Sequence, residues 1–133
     1  MADVEHINPP TLTNNPAFTQ VISVPSTART IYVGGQNALD LHRNLIGRGD
    51  LAQQTDQACE NLQLALEAAG AKLEHLVKCT IYLVAGQQPS VGFQAWLKLW
   101  GDRPHPPTVS VLLVAGLANP EFLIEIDAIA AVP

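Results

Sequence analysis

The sequence predicts an α+β fold of order ββαβαββ, a mixed sheet with two helices packed on one of its faces. Two stretches carry apolar residues at helical spacing, and five short stretches alternate or run apolar as strands do. The β-α-β-α-β middle is compact enough to fold as a split unit with both helices on the same side. With 133 residues and 47% hydrophobic content, one domain spanning 1–133 is expected.

Residues 1–15 are broken by prolines and polar residues and show little periodicity, so an irregular N-terminal arm is expected. Phe18 to Val24 reads as the first strand, Pro25 to Arg29 as a turn, and Thr30 to Val33 as a second strand paired with the first in a hairpin. That strand ends at Gly34-Gly35-Gln36, where two glycines permit unusual backbone angles or the close approach of another group. Asp50 is placed to cap a helix, with Gln53 three residues on in a capping-box-like pattern. Leu51, Thr55, Ala58, Leu62, Ala65, Leu66 and Ala69 trace its apolar stripe, and Gly70 ends it.

Residues 76–84 alternate as a strand, with Val77, Cys79, Ile81 and Leu83 on one face and Lys78, Thr80, Tyr82 and Val84 on the other. Pro89 opens a second helix that runs to Gly101, with Phe93, Trp96, Leu97 and Trp100 at core spacing. Thr108 to Val114 and Phe122 to Ala130 are the last strands, separated by a turn containing Gly116, Asn119 and Pro120. Two helices cover one face only. The other would carry Tyr82, Val84, Leu112, Val114, Leu123 and Ile129, an apolar area that water seldom borders, so self-association is expected to cover it.

Composition excludes several functions. Twelve acidic residues outnumber seven Lys and Arg, the net charge is −5, and the cations are dispersed, so no nucleic-acid surface is expected. No run of about 18 apolar residues exists to span a bilayer, and MADVEHINPP lacks the basic start and apolar run of a signal peptide. A cytoplasmic protein with no membrane association is expected. Cys59 and Cys79 fall within a helix and a strand and read as buried apolar residues rather than a disulfide pair.

Chemistry-bearing residues are few. Glu125 and Asp127 stand two apart in the last strand, on the face assigned to self-association. Two readings stay open: carboxylates solvated or ion-paired at a strand end, or a general acid/base that orients water. His6, His42, His75 and His105 form no i, i+4 pair and adjoin no cysteine cluster, so neither metal nor other cofactor is expected. Ser110 lacks a G-x-S-x-G elbow, and Gly34-Gly35-Gln36 is too short for a phosphate loop.

Phe18-Thr19-Gln20, Gly34-Gly35-Gln36, the block QQTDQACENLQLALEAAGAKLEHLVKCTIYL and the ending IEIDAIA together resemble the reactive intermediate deaminase A family, also called the YjgF family. The resemblance runs from about residue 16 to the end. It implies a chorismate-mutase-like fold, a homotrimer with small-molecule clefts between subunits, and hydrolysis of reactive enamines and imines to 2-keto acids and ammonia. It also implies that Glu125 is the glutamate that contacts water or imine, that Gly34 and Gly35 form the cleft turn, and that Phe18 replaces a cleft tyrosine.

The departure lies at Pro106-Pro107-Thr108-Val109-Ser110. There the family pattern Pro-x-Arg-Ser-Cys puts Thr108 at the carboxylate-binding arginine and Ser110 at the cysteine. Arg103, five residues upstream, is the one nearby candidate to substitute for it. Two functions follow: a divergent imine or enamine deaminase whose substrate does not rely on a carboxylate, or a non-catalytic trimer that binds a small metabolite or a protein partner. Endoribonuclease activity finds no support in an acidic chain without paired histidines.

Overall fold

The computed structural model describes residues 3–133. Its elements are β1 (Glu5–Ile7), β2 (Val21–Ser23), β3 (Arg29–Gln36), α1 (Leu51–Ala68), β4 (Leu76–Val84), α2 (Pro89–Trp100), β5 (Thr108–Val114) and β6 (Ile124–Val132). From β2 onward the order is the expected ββαβαββ, with one short strand added ahead of it. The main sheet runs β3-β6-β4-β5. β6 is antiparallel to both neighbours, whereas β4 and β5 are parallel and joined across α2.

Local chemistry sets the boundaries of α1. Asp50, in extended conformation, accepts a 3.0 Å hydrogen bond from the Gln53 backbone N–H, satisfying a donor the helix cannot. At the other end Gly70 adopts φ +75°. Its N–H donates to Glu67 and that of Ala71 to Leu66, the paired closure that a left-handed residue allows. Arg29 adds a 2.8 Å bond from β3 to the Ala69 carbonyl. The buried stripe of α1, including Leu51, Ala58, Leu62 and Leu66, meets Ile31, Val33, Cys79, Leu83, Ile126 and Ala128 of the sheet.

Three expectations need correction. The arm is not wholly irregular, because β1 pairs with β2 from Glu5↔Ser23 to Ile7↔Val21. Phe18 precedes β2 rather than opening it. β2 and β3 do not form a hairpin: a turn closed by Ala28 N–H to Pro25 O sends the chain away to pair Arg29–Gln36 with β6. The physical reason is packing. Ile31 and Val33 fit opposite the small Ala130 and Ala128, whereas β2 offers three residues that are at most half-buried.

In α2, Trp96 and Trp100 are buried and stacked with centroids 5.9 Å apart, but Phe93 and Leu97 stay exposed. α2 leans on α1 and stands off from β4 and β5, so its stripe is only half covered.

Gln54 is fully buried within this apolar layer. Its Nε2 donates to the carbonyls of Gly47 and Glu121 at 3.1 Å, and its Oε1 accepts from the Leu123 N–H at 2.9 Å. Gln54→Leu keeps the volume and strands three backbone groups, so urea denaturation should report a loss of roughly 3 kcal/mol. Gln53→Leu, on the exposed side of the same turn, should stay within about 0.5 kcal/mol of wild type.

Candidate functional site

The sheet has two unlike faces. The one toward the helices is apolar, while the open face carries the polar groups of β4, β5 and β6. Register places Glu125 opposite Tyr82 and, beyond it, Leu112; Asp127 lies opposite Thr80 and, beyond it, Ser110. Leu112 and Tyr32 are exposed on this face, Tyr32 at 78%.

Glu125 lies against the turn that β3 makes at its end. Between Val33 and Gln36 the pairing with β6 slips, three steps on β3 matching two on β6, which is a bulge. Gly34 and Gly35 together stand against the single residue Asp127, so the bulge adds one residue. A Cβ built on Gly35 would lie 2.7 Å from the Glu125 Cδ and collide with Oε2, so only glycine lets the carboxylate rest on that backbone. Gln36 Nε2 donates to the Gly34 carbonyl at 3.1 Å and steadies the bulge.

Beside it the Tyr82 hydroxyl donates to Asp127 Oδ2 at 2.9 Å. That hydrogen bond, then desolvation and the charges of Asp127 and Glu125, push the Tyr82 pKa up from 10.0. The phenol therefore stays a donor across physiological pH.

The sequence-derived site residues divide. Gly34, Gly35 and Glu125 come together. Ser110 shares their face, two strands away and two residues along. Thr108 is also on that face but lies four residues, or about 13 Å, further along β5 than the row of Glu125. Its hydroxyl donates to the Val77 carbonyl at 2.7 Å. Arg103 is committed elsewhere: Nε pairs with Glu74 at 2.7 Å, and Nη1 donates to the carbonyls of Leu99 and Trp100 at the end of α2.

Phe18 lies on the opposite side of the sheet. Thr19, hydrogen-bonded to the carbonyls of Pro106 and Pro107, fastens this segment beside the start of β5. Phe18 there walls a cavity of about 380 Å³ between α2 and the sheet. Its sides are Ile81, Val109, Val111, Ile124, Phe93 and Trp96, with Gly92 and Thr55 among the rest. Sequence reasoning missed this cavity, the Tyr82–Asp127 bond and the seat of Glu125 on Gly35. Alternation puts Tyr82 and Asp127 on outward faces, but only the pairing register makes them neighbours.

Comparison with known proteins fits this arrangement. Residues 12–132 match the family model described as Endoribonuclease L-PSP. The chain is 39% identical to a RutC family protein of Pyrococcus abyssi, over 85% of this chain and 84% of that protein. It belongs to the Rid/YjgF family. A Rid family crystal structure from Yersinia pestis superposes with a TM-score of 0.87 at 30% identity, covering 98% of this chain and all of the other. A rat protein named 2-iminobutanoate/2-iminopropanoate deaminase is 37% identical, over 50% of this chain and 47% of its own.

The Tyr82 bond has a measurable signature. Ultraviolet titration should find a tyrosine ionising above pH 10, absent in Tyr82→Phe and shifted back toward 10 in Asp127→Asn. Because the folded pKa is raised, the stability this contributes is present below the unfolded pKa of about 10 and is lost as pH rises through the folded value. A Tyr82 that ionises at 10 would mean the bond is not formed.

Proposed function

We propose that this chain is a divergent enamine/imine deaminase, a homotrimer whose open sheet faces cover one another, working without cofactor in the cytoplasm. The observation that carries the reading is the Glu125 carboxylate, seated on the Gly35 backbone of an open face that also exposes Tyr32 and Leu112. Once another copy covers that face, a carboxylate there is costly without a role. The name of the rat relative supports the reaction class.

Hydrolysis of a C=N bond needs water at the carbon and a proton at the nitrogen. Glu125 suits both. As a base it takes a proton from the attacking water and as an acid returns it to the nitrogen, giving the carbinolamine; it then takes the hydroxyl proton of that intermediate and passes it to the nitrogen, so that ammonia leaves as the carbonyl forms. Water and imine become carbonyl and ammonia with no redox partner.

The substrate differs from that of relatives carrying the arginine clamp. The Pro-x-Arg-Ser pattern fits in two registers. In one, Thr108 takes the place of the arginine; one residue on, Pro107-Thr108-Val109-Ser110 keeps the serine and puts Val109 there. Neither is a cation, and no Lys or Arg lines the cavity behind Val109. That absence favours the second reading, a trimer that binds a small metabolite without converting it. Ribonuclease chemistry is not proposed, since no basic cluster is present to hold RNA.

Light scattering should report about three chain masses, and a stable monomer at micromolar concentration would refute the trimer. Ammonia release from imines generated by an amine or amino-acid oxidase should fall sharply in Glu125→Gln with the trimer intact. No release from any imine by wild type would favour the binding reading.

The clamp can be restored. A charge-assisted contact of about 1.5 to 3 kcal/mol corresponds to roughly ten- to a hundred-fold in kcat/KM. Thr108→Arg or Val109→Arg should therefore speed hydrolysis of 2-iminopropionate, read as loss of its semicarbazone signal. If neither variant gains, the cleft has diverged beyond this one residue.

A further inference from the structure

We propose that Lys78 fits the open face to imines whose carboxylate lies a few carbons from the C=N carbon, at the far end of the substrate from the atoms that Glu125 serves. The inference rests on the reading of Glu125 as the acid/base and adds the substrate class that the missing clamp leaves open.

Charge is the first argument. Of the seven Lys and Arg, only Arg29 and Lys78 stand in the main sheet. Arg29 turns to the Ala69 carbonyl at the end of α1, so Lys78 is the one cation that the strands give to the open face. Its neighbours fix its side. Cys79, next to it, is fully buried under the helices, and Ile129, its partner on β6, stands two residues from Asp127 on the open face. Lys78 is exposed there, and the ion pairs among the described residues, Arg48 with Glu121 and Arg103 with Glu74, do not include it. An ammonium that another copy covers needs a counter-charge, as a carboxylate does.

Spacing is the second argument. Glu125 stands opposite Tyr82, four residues along β4 from Lys78. Strand side chains stand away from the sheet, so the ammonium and the carboxylate are held about 13 Å apart along it. A hydrogen-bond contact of about 2.9 Å at each end leaves roughly 7 Å between the imine nitrogen and a carboxylate oxygen at Lys78. An extended chain of roughly four carbon–carbon bonds fills that distance, whereas a carboxylate bonded directly to the C=N carbon falls about 4 Å short.

Repulsion is the third. Between the two ends β6 places Asp127, opposite Thr80, with the Tyr82 hydroxyl on its Oδ2. Together with Glu125 it makes the near end of the face negative, so an anion beside the C=N carbon is repelled there. Thr80 and Ser110, in the row of Asp127, are neutral. An uncharged link crosses that row without penalty from like charge, and the carboxylate beyond it meets the ammonium.

Ammonium analogues of a protonated imine test the proposal without turnover. By calorimetry, 5-aminopentanoate should bind roughly tenfold more tightly than pentylamine, which lacks the carboxylate, and than norvaline, which carries it on the α carbon. Lys78→Gln should bring 5-aminopentanoate down to the level of pentylamine, and Lys78→Glu should shift the preference to 1,5-diaminopentane. The imines that amine and amino-acid oxidases make from the three analogues should be hydrolysed in the same order of kcat/KM, and Glu125→Gln should slow all of them. If the analogues bind in this order and no imine is turned over, the deaminase reading falls and Lys78 stands as the anion contact of a binding site. The assignment is overturned if the three analogues bind wild type equally or not at all, if norvaline binds best, or if Lys78→Gln keeps the wild-type order. A trimer lost in Lys78→Gln, with no preference in wild type, would make Lys78 the ion-pair partner of an acid on another copy and overturn it as well.

Discussion

The amide of Gln54 is enclosed in an apolar layer, and three backbone groups from two distant segments meet on it. Gly47 in the approach to α1, Glu121 in the approach to β6, and Leu123 one residue before β6 all use its hydrogen-bonding groups. The joint sets where β6 begins, and β6 is the strand on which both faces depend. Side chains alternate along a strand, so a slip of one residue would turn Ile124, Ile126 and Ala128 outward and bury Glu125 and Asp127. An internal amide costs several kcal/mol when left unsatisfied, which makes the wrong register expensive as well as the right one stable.

Much of the fold is legible because its signals are local. Asp50, the stripe from Leu51 to Leu66 and Gly70 mark α1, and the bounds of β4 and β5 follow from alternation alone. The errors come where partners are distant in sequence. β3 sits beside β6, almost a hundred residues away, and no periodicity within either strand says so. Gln54 was invisible for a related reason, since a polar residue on an apolar stripe looks like a flaw until its partners are known. Phe93 and Leu97 have core spacing, yet α2 stands off from the sheet over them.

The site was legible to the same degree. Glu125 could be singled out because a carboxylate on an apolar face is conspicuous, and Gly34-Gly35 because paired glycines are. Their contact could not, for it depends on a bulge that only the pairing of β3 with β6 defines. Thr108 and Phe18 illustrate the opposite case. Family likeness groups them with Glu125, but within one chain Thr108 is tied to Val77 and Phe18 lies on the far layer.

Two glycines divide the chemistry of the molecule. At Gly35 the absent side chain lets a carboxylate lie on the backbone, and at Gly92 it leaves an apolar cavity open. β6 serves both, with Ile124 and Ile126 walling the cavity while Glu125 between them points through the other face. A strand cannot turn one residue around without turning its neighbours, so Glu125 cannot reach a molecule held under α2 of its own chain. Any reaction that used the acid and the cavity together must draw them from different chains. On that ground, a second copy of the chain across the open face would serve the chemistry of such a reaction as well as its stability.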